Sequence, residues 1–225
     1  MESLWDRVDE YFSQHLAPPD EVLQAALAAS SAAGLPAINV TANQGKLLHL
    51  IARLGRARRI LEIGTLGGYS TIWLGRALPA DGLLVTLEIN ADYAAVARQN
   101  LDRAGLSDRV DLRVAPAAKS LAELRSGGVE PFDLIFIDAD KASTEAYFRA
   151  SLGLSRIGTV IIVDNVVRKG DVIDETTDDA NVRGMRRFVE VLSRTPAVSA
   201  TAIQTVGSKG YDGFVLALVT EAGQR

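Results

Sequence analysis

The stretch FDLIFIDADK at residues 132–141 and the stretch TVIIVDN at residues 159–165 each join an apolar run to oxygen-bearing side chains. The first run ends at Asp138, Asp140 and Lys141, and the second ends at Asp164 and Asn165. Short apolar runs of this kind are typical of buried strands in a parallel sheet. Because the carboxyl ends of neighbouring parallel strands meet at one crevice, the pattern predicts a ligand site there.

Three further apolar runs, each followed by a helical pattern, precede these two. They are RILEI (59–63), LLVTLE (83–88) and VDLRV (110–114). The alternation predicts right-handed βαβ units, so the expected fold class is α/β, with a mostly parallel Rossmann-like sheet and helices on both faces. The last runs, VSATAIQTV (198–206) and GFVLALV (213–219), are separated only by the loop GSKGYD and predict an antiparallel hairpin at the sheet edge.

Helices are also predicted before the first strand. The first has apolar residues at helical spacing, namely Leu4, Trp5, Val8, Tyr11 and Phe12, whose aromatic members are expected to make packing or dimer contacts. The second begins near Pro19, and the third follows Thr41 and Gln44, which are spaced as a capping box. No linker or repeat divides the chain, so residues 1–225 are predicted to form one domain, with residues 1–37 as a helical extension on the core or on a dimer partner.

Composition excludes several kinds of chemistry. The 225 residues include no cysteine, which excludes disulfides, thiolate nucleophiles and zinc–thiolate sites. The net charge of -4 disfavours nucleic acid as a partner. The amino-terminal sequence MESLWDRVDEYF lacks the basic start of a secretory signal, so a cytoplasmic location is expected. His15 and His49 have no serine or cysteine motif to form a triad with and are predicted to be structural.

A glycine-rich turn joins the strand RILEI to the next helix. Its glycines are Gly64, Gly67 and Gly68, which allow the backbone to approach a ligand closely. Their spacing departs from the G-x-G-x-x-G of dinucleotide sites, and the carboxylate of Glu62 would repel a pyrophosphate. Glu88 ends the next strand, where a carboxylate can accept hydrogen bonds from ribose hydroxyls. Together the two acids predict an adenosine ligand without phosphates.

The set LEIGTLGGYS, TLEIN, FIDADK and VDNV resembles the S-adenosylmethionine (SAM)-dependent, cation-dependent O-methyltransferases, the group of caffeoyl-CoA and catechol-type enzymes. The resemblance extends from about Ile38 to Val219. It implies a seven-stranded sheet with a reversed last strand, a homodimer, and methyl transfer from SAM to a hydroxyl of a catechol-like acceptor. It also implies a cofactor site formed by the Val40 backbone, Glu62, Gly64, Thr65, Ser70, Glu88, Ala117 and Asp138.

The same resemblance implies a metal site at Asp138, Asp164 and Asn165. Two carboxylates and one amide oxygen suit Mg²⁺, with Ca²⁺ or Mn²⁺ as competitors. Lys141 resembles the catalytic lysine of the family and would either stabilise a phenolate or accept its proton, while Asp138 would serve both metal and cofactor. Asp140 is instead predicted to cap the following helix.

The methyl acceptor is expected to contact loops beyond the strand ends. The candidate residues in these loops are Ser143, Thr144, Arg168, Lys169, Lys209 and Tyr211. A small catechol or another vicinal hydroxy aromatic is the expected substrate. Three alternatives stay open: methylation of a hydroxylated base in tRNA, which the acidic net charge disfavours, a nonenzymatic SAM-binding protein, and an NAD-dependent dehydrogenase, which the glycine spacing disfavours.

Overall fold

The computed structural model describes residues 4–221, which form a seven-stranded mixed sheet with helices on both faces. The strands are β1 (Arg59–Ile63), β2 (Leu83–Glu88), β3 (Val110–Val114), β4 (Phe132–Ile137), β5 (Ser155–Asp164), β6 (Val198–Gly207) and β7 (Gly210–Val219). Their order is β3-β2-β1-β4-β5-β7-β6, and β7 is antiparallel to both β5 and β6. The predicted α/β class with an antiparallel edge hairpin is confirmed.

Eight α-helices surround this sheet within residues 4–221. They are α1 (Leu4–Leu16), α2 (Glu21–Ala32), α3 (Ala42–Leu54), α4 (Tyr69–Gly75), α5 (Ala91–Arg103), α6 (Ala117–Ser126), α7 (Thr144–Leu152) and α8 (Ala180–Ser193). Successive strand residues point to opposite faces. Leu61 and Ile135 accordingly belong to one buried apolar cluster, and Ile60 and Leu134 belong to the other. The predicted single domain includes residues 1–3 and 222–225, which lie outside the described residues.

Side-chain caps set the starts of the early helices. The Asp20 carboxylate accepts a hydrogen bond from the Leu23 N–H at 3.0 Å, and the Thr41 hydroxyl accepts one from the Gln44 N–H at 3.2 Å. The Gln44 side chain lines the same cavity as Asp164, on a distant strand, and it lowers the pKa of that carboxyl. The Thr41 cap therefore also aims a polar side chain of α3 at the sheet edge.

The edge hairpin is tighter than the sequence predicts. β6 extends to Gly207 and β7 begins at Gly210, so the strands enter the region 207–212 that the sequence suggests is a loop. Gly210 has a φ of +87°, which a glycine adopts without a Cβ clash and which permits a two-residue turn. Residues Gly207–Gly210 are called the hairpin turn below.

Helix α1 lies outside the core, where it packs against α3 and β6. It contains no buried residue, and Trp5, Tyr11 and Phe12 remain 50%, 58% and 46% exposed. These aromatic side chains therefore do not belong to the core. Their predicted contact with a dimer partner stays a prediction.

Strand register aligns the residues that matter for a ligand. Ile63 pairs with both Leu87 and Ile137, and Ile137 pairs with Val163. The residues that follow these four positions therefore emerge side by side at the carboxyl edge of the sheet. They are Gly64, Glu88, Asp138 and Asp164.

Gly184 lies where α8 contacts the segment after β4. A Cβ at this position would lie 2.2 Å from the Lys141 carbonyl oxygen and 2.7 Å from the Ala142 Cα. Gly184→Ala must push α8 away from this segment, and we expect it to lower the free energy of unfolding by about 1–3 kcal/mol. Thermal unfolding measures the effect against Glu190→Ala, a change at an exposed position of the same helix. Equal melting temperatures for the two variants would contradict this close packing.

Candidate active site

Two adjoining cavities open at the carboxyl edge of the sheet. The large cavity has a volume of about 500 Å³ and lies over the ends of β1, β2 and β4. The small cavity, of about 260 Å³, lies between the start of α3, the end of β5 and the hairpin turn. Ile38, Asn39, Val40 and Asn165 line both cavities, so a molecule in one cavity would directly adjoin a molecule in the other.

The glycine-rich turn forms one wall of the large cavity. Gly64 has a φ of +101°, and a Cβ there would lie 2.0 Å from the Asp138 carbonyl oxygen, so only glycine fits between the ends of β1 and β4. One oxygen of the Glu88 carboxylate accepts hydrogen bonds from the N–H groups of Leu66 at 2.8 Å and Thr65 at 3.3 Å. Glu88 thus fixes the turn while its carboxylate still borders the cavity, where it can accept further hydrogen bonds.

Glu62 lies behind this wall and is completely buried. Its carboxylate accepts hydrogen bonds from the hydroxyls of Ser70 at 2.6 Å, Thr71 at 2.5 Å and Thr86 at 2.7 Å. Burial raises its pKa to about 7, although the three hydroxyls act in the opposite direction. Glu62 does not line the large cavity, so it would act on a ligand through the hydroxyls that do, namely Ser70 directly and Thr65 by way of Thr86.

The other residues predicted to form a cofactor site gather around the large cavity. Those that line it are Val40, Gly64, Thr65, Ser70, Glu88, Ala117 and Asp138. Ala117 begins α6 directly after Pro116, and both residues border the cavity. The fold therefore brings together positions that extend from residue 40 to residue 138.

The predicted metal ligands lie where the two cavities meet. Asp138 lines the large cavity, Asp164 lines the small one, and Asn165 lines both. Asp164 is 5% exposed, and its pKa is raised first by burial and then by the negative charge of Asp138. Within residues 4–221 no third acid, histidine or cysteine completes a cluster, so the amide of Asn165 would be the third ligand. Two close carboxylates and an amide oxygen fit a hard divalent cation, which would relieve the repulsion between the acids.

Lys141 is held beside this group. Its Nζ lies 2.6 Å from the Asp138 Oδ1, and the side chain is almost completely buried. The Asp140 carboxylate accepts hydrogen bonds from the Ser143 N–H at 3.0 Å and from the Tyr147 hydroxyl at 2.5 Å. The predicted capping role of Asp140 is confirmed, and these contacts fix the segment from which the Lys141 ammonium reaches the site.

Only some of the residues predicted to contact the acceptor line one of the two cavities. Arg168 lines the large cavity and Lys209 lines the small one. The remaining candidates, Ser143, Thr144, Lys169 and Tyr211, line neither cavity. Desolvation lowers the pKa of Lys209, against the opposing effect of the negative charges on Asp138 and Asp164. Of the predicted acceptor contacts, Arg168 and Lys209 are therefore the two that can meet a bound molecule, in addition to Lys141.

Several residues of the site carry no signal in the sequence. Asp9, Asn43 and Gln44 line the small cavity, yet they lie on helices far from the strand motifs. Gln44 matches a local capping pattern, which conceals its position beside Asp164 in the cavity. No local spacing predicts these residues, because only the packing of α1 and α3 beside the sheet brings them to the cavity.

The two histidines lie away from both cavities. The His49 Nδ1 lies 3.2 Å from the Trp73 carbonyl oxygen, and burial lowers the pKa of this imidazole. The His15 Nδ1 lies 2.7 Å from the Tyr11 carbonyl oxygen on the exposed helix α1. Both positions agree with the structural roles predicted for them.

Comparisons with known proteins assign this site to a class. The family model described as O-methyltransferase matches residues 14–218. A catechol O-methyltransferase of Niastella koreensis is 50% identical over 216 residues, which cover 96% of this chain and 98% of the relative. A catechol O-methyltransferase of Mycobacterium tuberculosis is 52% identical over 212 residues, which cover 94% of each chain.

Solved structures agree with this result. An O-methyltransferase of Bacillus cereus in complex with SAH shares 54% identity and a TM-score of 0.96, with 98% of this chain and 100% of that chain covered. The O-methyltransferase TomG of Streptomyces achromogenes, involved in tomaymycin synthesis and solved in complex with SAM, shares 52% identity and a TM-score of 0.95 over 98% and 99% of the two chains.

The Rossmann-like sheet, the cavity over its carboxyl edge and the likeness to SAH- and SAM-bound O-methyltransferases together place the chain among the SAM-dependent transferases. The chain belongs to the O-methyltransferase family. It therefore transfers a methyl group from SAM to an oxygen atom, and the resemblance found in the sequence is confirmed at this level. The nonenzymatic and NAD-dependent alternatives are set aside. No helix within residues 4–221 is long and apolar enough to span a membrane.

The buried Glu62 predicts how stability depends on pH. Because its pKa rises from 4.5 to about 7 on folding, the folded protein binds this proton more tightly than the unfolded chain does. The resulting stabilisation is complete below the unfolded pKa and is lost as the pH rises through 7, a change of roughly 3 kcal/mol. Glu62→Gln should remove this pH dependence.

Urea unfolding of both proteins at acidic and at mildly alkaline pH measures the free energy of unfolding. The free energy of unfolding of Glu62→Gln, relative to that of the wild type, should increase as the pH rises. A difference that stays constant would show that the Glu62 carboxyl titrates alike in the folded and unfolded chains.

Proposed function

We propose that this O-methyltransferase methylates one hydroxyl of a small catechol-like acceptor with the help of a divalent cation. The junction of the two cavities carries the proposal. SAM would occupy the large cavity and the acceptor the small one. Asp138, Asp164 and Asn165 lie between them, where the methyl group would be transferred.

Cofactor binding would use the residues on the wall of the large cavity. The Glu88 carboxylate would accept hydrogen bonds from the ribose hydroxyls, since it borders the cavity at the end of β2. The glycine turn and the Val40 backbone would contact the methionine portion together with Ser70, whose hydroxyl is oriented by its hydrogen bond to Glu62. Ala117 would border the adenine. The absence of charged groups at Ala117 suits a neutral base.

Two observations support a catechol as the acceptor. The relatives with 50% and 52% identity are both named catechol O-methyltransferase. The small cavity of about 260 Å³ combines apolar side chains with several acids and amides, among them Asp164 and Asn165. Ile38, Leu47 and Phe214 would contact the ring, while Asp164 and Asn165 lie on the side from which two neighbouring hydroxyls would approach.

The proposed cation is Mg²⁺, with Ca²⁺ or Mn²⁺ as competitors, held by Asp138, Asp164 and Asn165. When bound, the cation lowers the pKa of the acceptor hydroxyl and orients its oxygen. The negative charge of Asp138 beside the buried Asp164 supports this site, because the Lys141 ammonium only partly offsets the cost of burying Asp164.

The protein supplies orientation and charge for the reaction. The acceptor hydroxyl would lose its proton to solvent. Its oxygen would then form a bond with the methyl carbon of SAM as the carbon–sulfur bond breaks and S-adenosylhomocysteine leaves. The Lys141 ammonium, held 2.6 Å from the Asp138 carboxylate, would stabilise the negative charge on the acceptor oxygen. Cavity walls at Val40 and Asn165, shared by both molecules, would align the oxygen with the methyl group.

Three further statements remain predictions. The resemblance implies a homodimer, in which the exposed aromatic residues of α1 would contact the second copy. A cytoplasmic location is expected from the sequence. Methylation of a hydroxylated tRNA base is the weaker alternative, because the net charge of -4 disfavours a polyanion.

Mass spectrometry of a catechol panel incubated with protein, SAM and Mg²⁺ tests the proposal. We expect one acceptor to gain the mass of a methyl group and EDTA to abolish the product, because the hydroxyl would lose the cation that lowers its pKa. Catechol methylation that persists in EDTA would contradict the cation-dependent mechanism. Lack of product with every catechol would contradict the proposed acceptor.

Asp164→Ala serves as the variant that removes a proposed metal ligand, and Asp174→Ala, at an exposed acid further along the chain, is its control. The first should lose both activity and measurable Mn²⁺ binding, and the second should keep both. Full metal-dependent activity in Asp164→Ala would exclude the assignment of Asp164.

Lys141→Ala tests the proposed electrostatic role. We expect kcat to fall roughly 100-fold, because a preorganised charge near the acceptor oxygen is lost. The affinity for SAM should change little. Stopped-time product assays and calorimetric titration with SAM measure the two effects, with the exposed Lys119→Ala as control. A loss of SAM affinity as large as the loss of rate would assign Lys141 to cofactor binding instead.

A further inference from the structure

Helix α1 reaches the small cavity through one side chain, Asp9. Its carboxylate makes contacts on two sides. On one side, the Asn43 side-chain amide donates to the Asp9 Oδ1 at 2.5 Å and to the Asp9 carbonyl oxygen at 3.2 Å. On the other side, the Asp9 Oδ2 accepts hydrogen bonds from the Ser208 N–H at 3.1 Å and from the Ser208 hydroxyl at 2.9 Å.

These contacts connect three elements that are distant in sequence. Asp9 lies on α1, Asn43 in the first turn of α3, and Ser208 in the hairpin turn. Gly207 also lies against this carboxylate, since a Cβ there would be 3.0 Å from the Asp9 Oδ2. An ionised acceptor forms stronger hydrogen bonds than a neutral one, so the four contacts hold the hairpin turn against the start of α3.

The start of β7, which follows the hairpin turn, is attached separately to the segment after β5. The Asp212 Oδ1 accepts hydrogen bonds from the N–H groups of Val167 at 3.0 Å and Arg168 at 3.1 Å, which belong to the segment after β5. Lys209 lies between the two attachments and lines the small cavity. Without the contacts of Asp9, only the Asp212 attachment and the strand ladder would restrain the position of Lys209.

We infer that Asp9 is a positioning residue that fixes the hairpin turn and thereby sets the shape of the small cavity. The inference rests on the proposed function in one respect, namely that the small cavity binds the acceptor. Asp9 acts through Ser208 and Asn43, and it carries out no step of the methyl transfer. The large cavity does not include Asp9, Asn43 or the hairpin turn, so SAM binding should be independent of this residue.

Asp9→Ala is the principal test, with two readouts. Hydrogen exchange of the Ser208 amide, followed by NMR, should become faster because its acceptor is removed. The KM for the catechol should rise about tenfold, the effect of losing one charge-assisted hydrogen bond, while the KM for SAM stays unchanged.

Three further variants sharpen the result. Asp9→Asn keeps one oxygen that can accept from Ser208, so it should restore much of the catechol KM. Ser208→Ala removes only the hydroxyl contact and should raise this KM less than Asp9→Ala does. Glu10→Gln is the matched control, because Glu10 is the neighbouring acid on α1 and its carboxylate accepts a hydrogen bond from the Gln14 side chain on the same helix at 2.6 Å. It should behave as wild type in both readouts.

Unchanged exchange at Ser208 in Asp9→Ala would overturn the inference, and so would an unchanged catechol KM. An equal rise in the KM for SAM would also overturn it, because that result indicates a general loss of structure. If the wild-type protein methylated no catechol, the proposed acceptor would fail. The exchange of Ser208 would then still decide whether Asp9 holds the hairpin turn.

Discussion

The common register of the parallel strands is the constraint on which the site depends. Ile63, Leu87, Ile137 and Val163 are aligned across β2, β1, β4 and β5, so all four strands end at one edge. Parallel pairing directs the carboxyl ends of these strands toward the same side of the sheet. The fit at Gly64, where a Cβ would meet the Asp138 carbonyl oxygen, shows how closely two of these ends approach each other. The cofactor cavity and the acidic junction both follow from this arrangement.

Buried acids at this edge are stabilised in different ways. Glu62 receives three hydroxyl hydrogen bonds, and its raised pKa shows that these only partly offset the cost of burial. Glu88 receives backbone N–H groups from the glycine turn and from Asn90. Asp164 has a nearby carboxylate, Asp138, whose charge adds to the cost of burial. The first two acids are satisfied by hydrogen bonds from the fold. Asp138 and Asp164 are compensated in part, by the Lys141 ammonium 2.6 Å from Asp138 and by the Asn165 N–H 2.8 Å from Asp164.

The two cavities differ in what surrounds them. The large cavity is formed by strand ends and by the turns that follow them, which are fixed by the sheet. The small cavity is closed by peripheral elements, namely α1, α3 and the hairpin turn, and these are joined through Asp9 and Asn43. Peripheral segments vary more freely than strand ends do. Such a division allows the cofactor site to stay constant while the acceptor site changes.

The sequence by itself determined the α/β class, the succession of strands and helices along the chain, the edge hairpin and the family. Periodicity and strand-end motifs are local features, so the sequence alone contains them. It also indicated Asp138, Asp164, Asn165 and Lys141 as a group. Tertiary structure alone decided that Glu62 lies behind Ser70, that Gln44 lines the same cavity as Asp164, and that Asp9 reaches the hairpin turn. These contacts join residues far apart in the chain, and no local pattern records them, because their partners are chosen by the packing of helices beside the sheet.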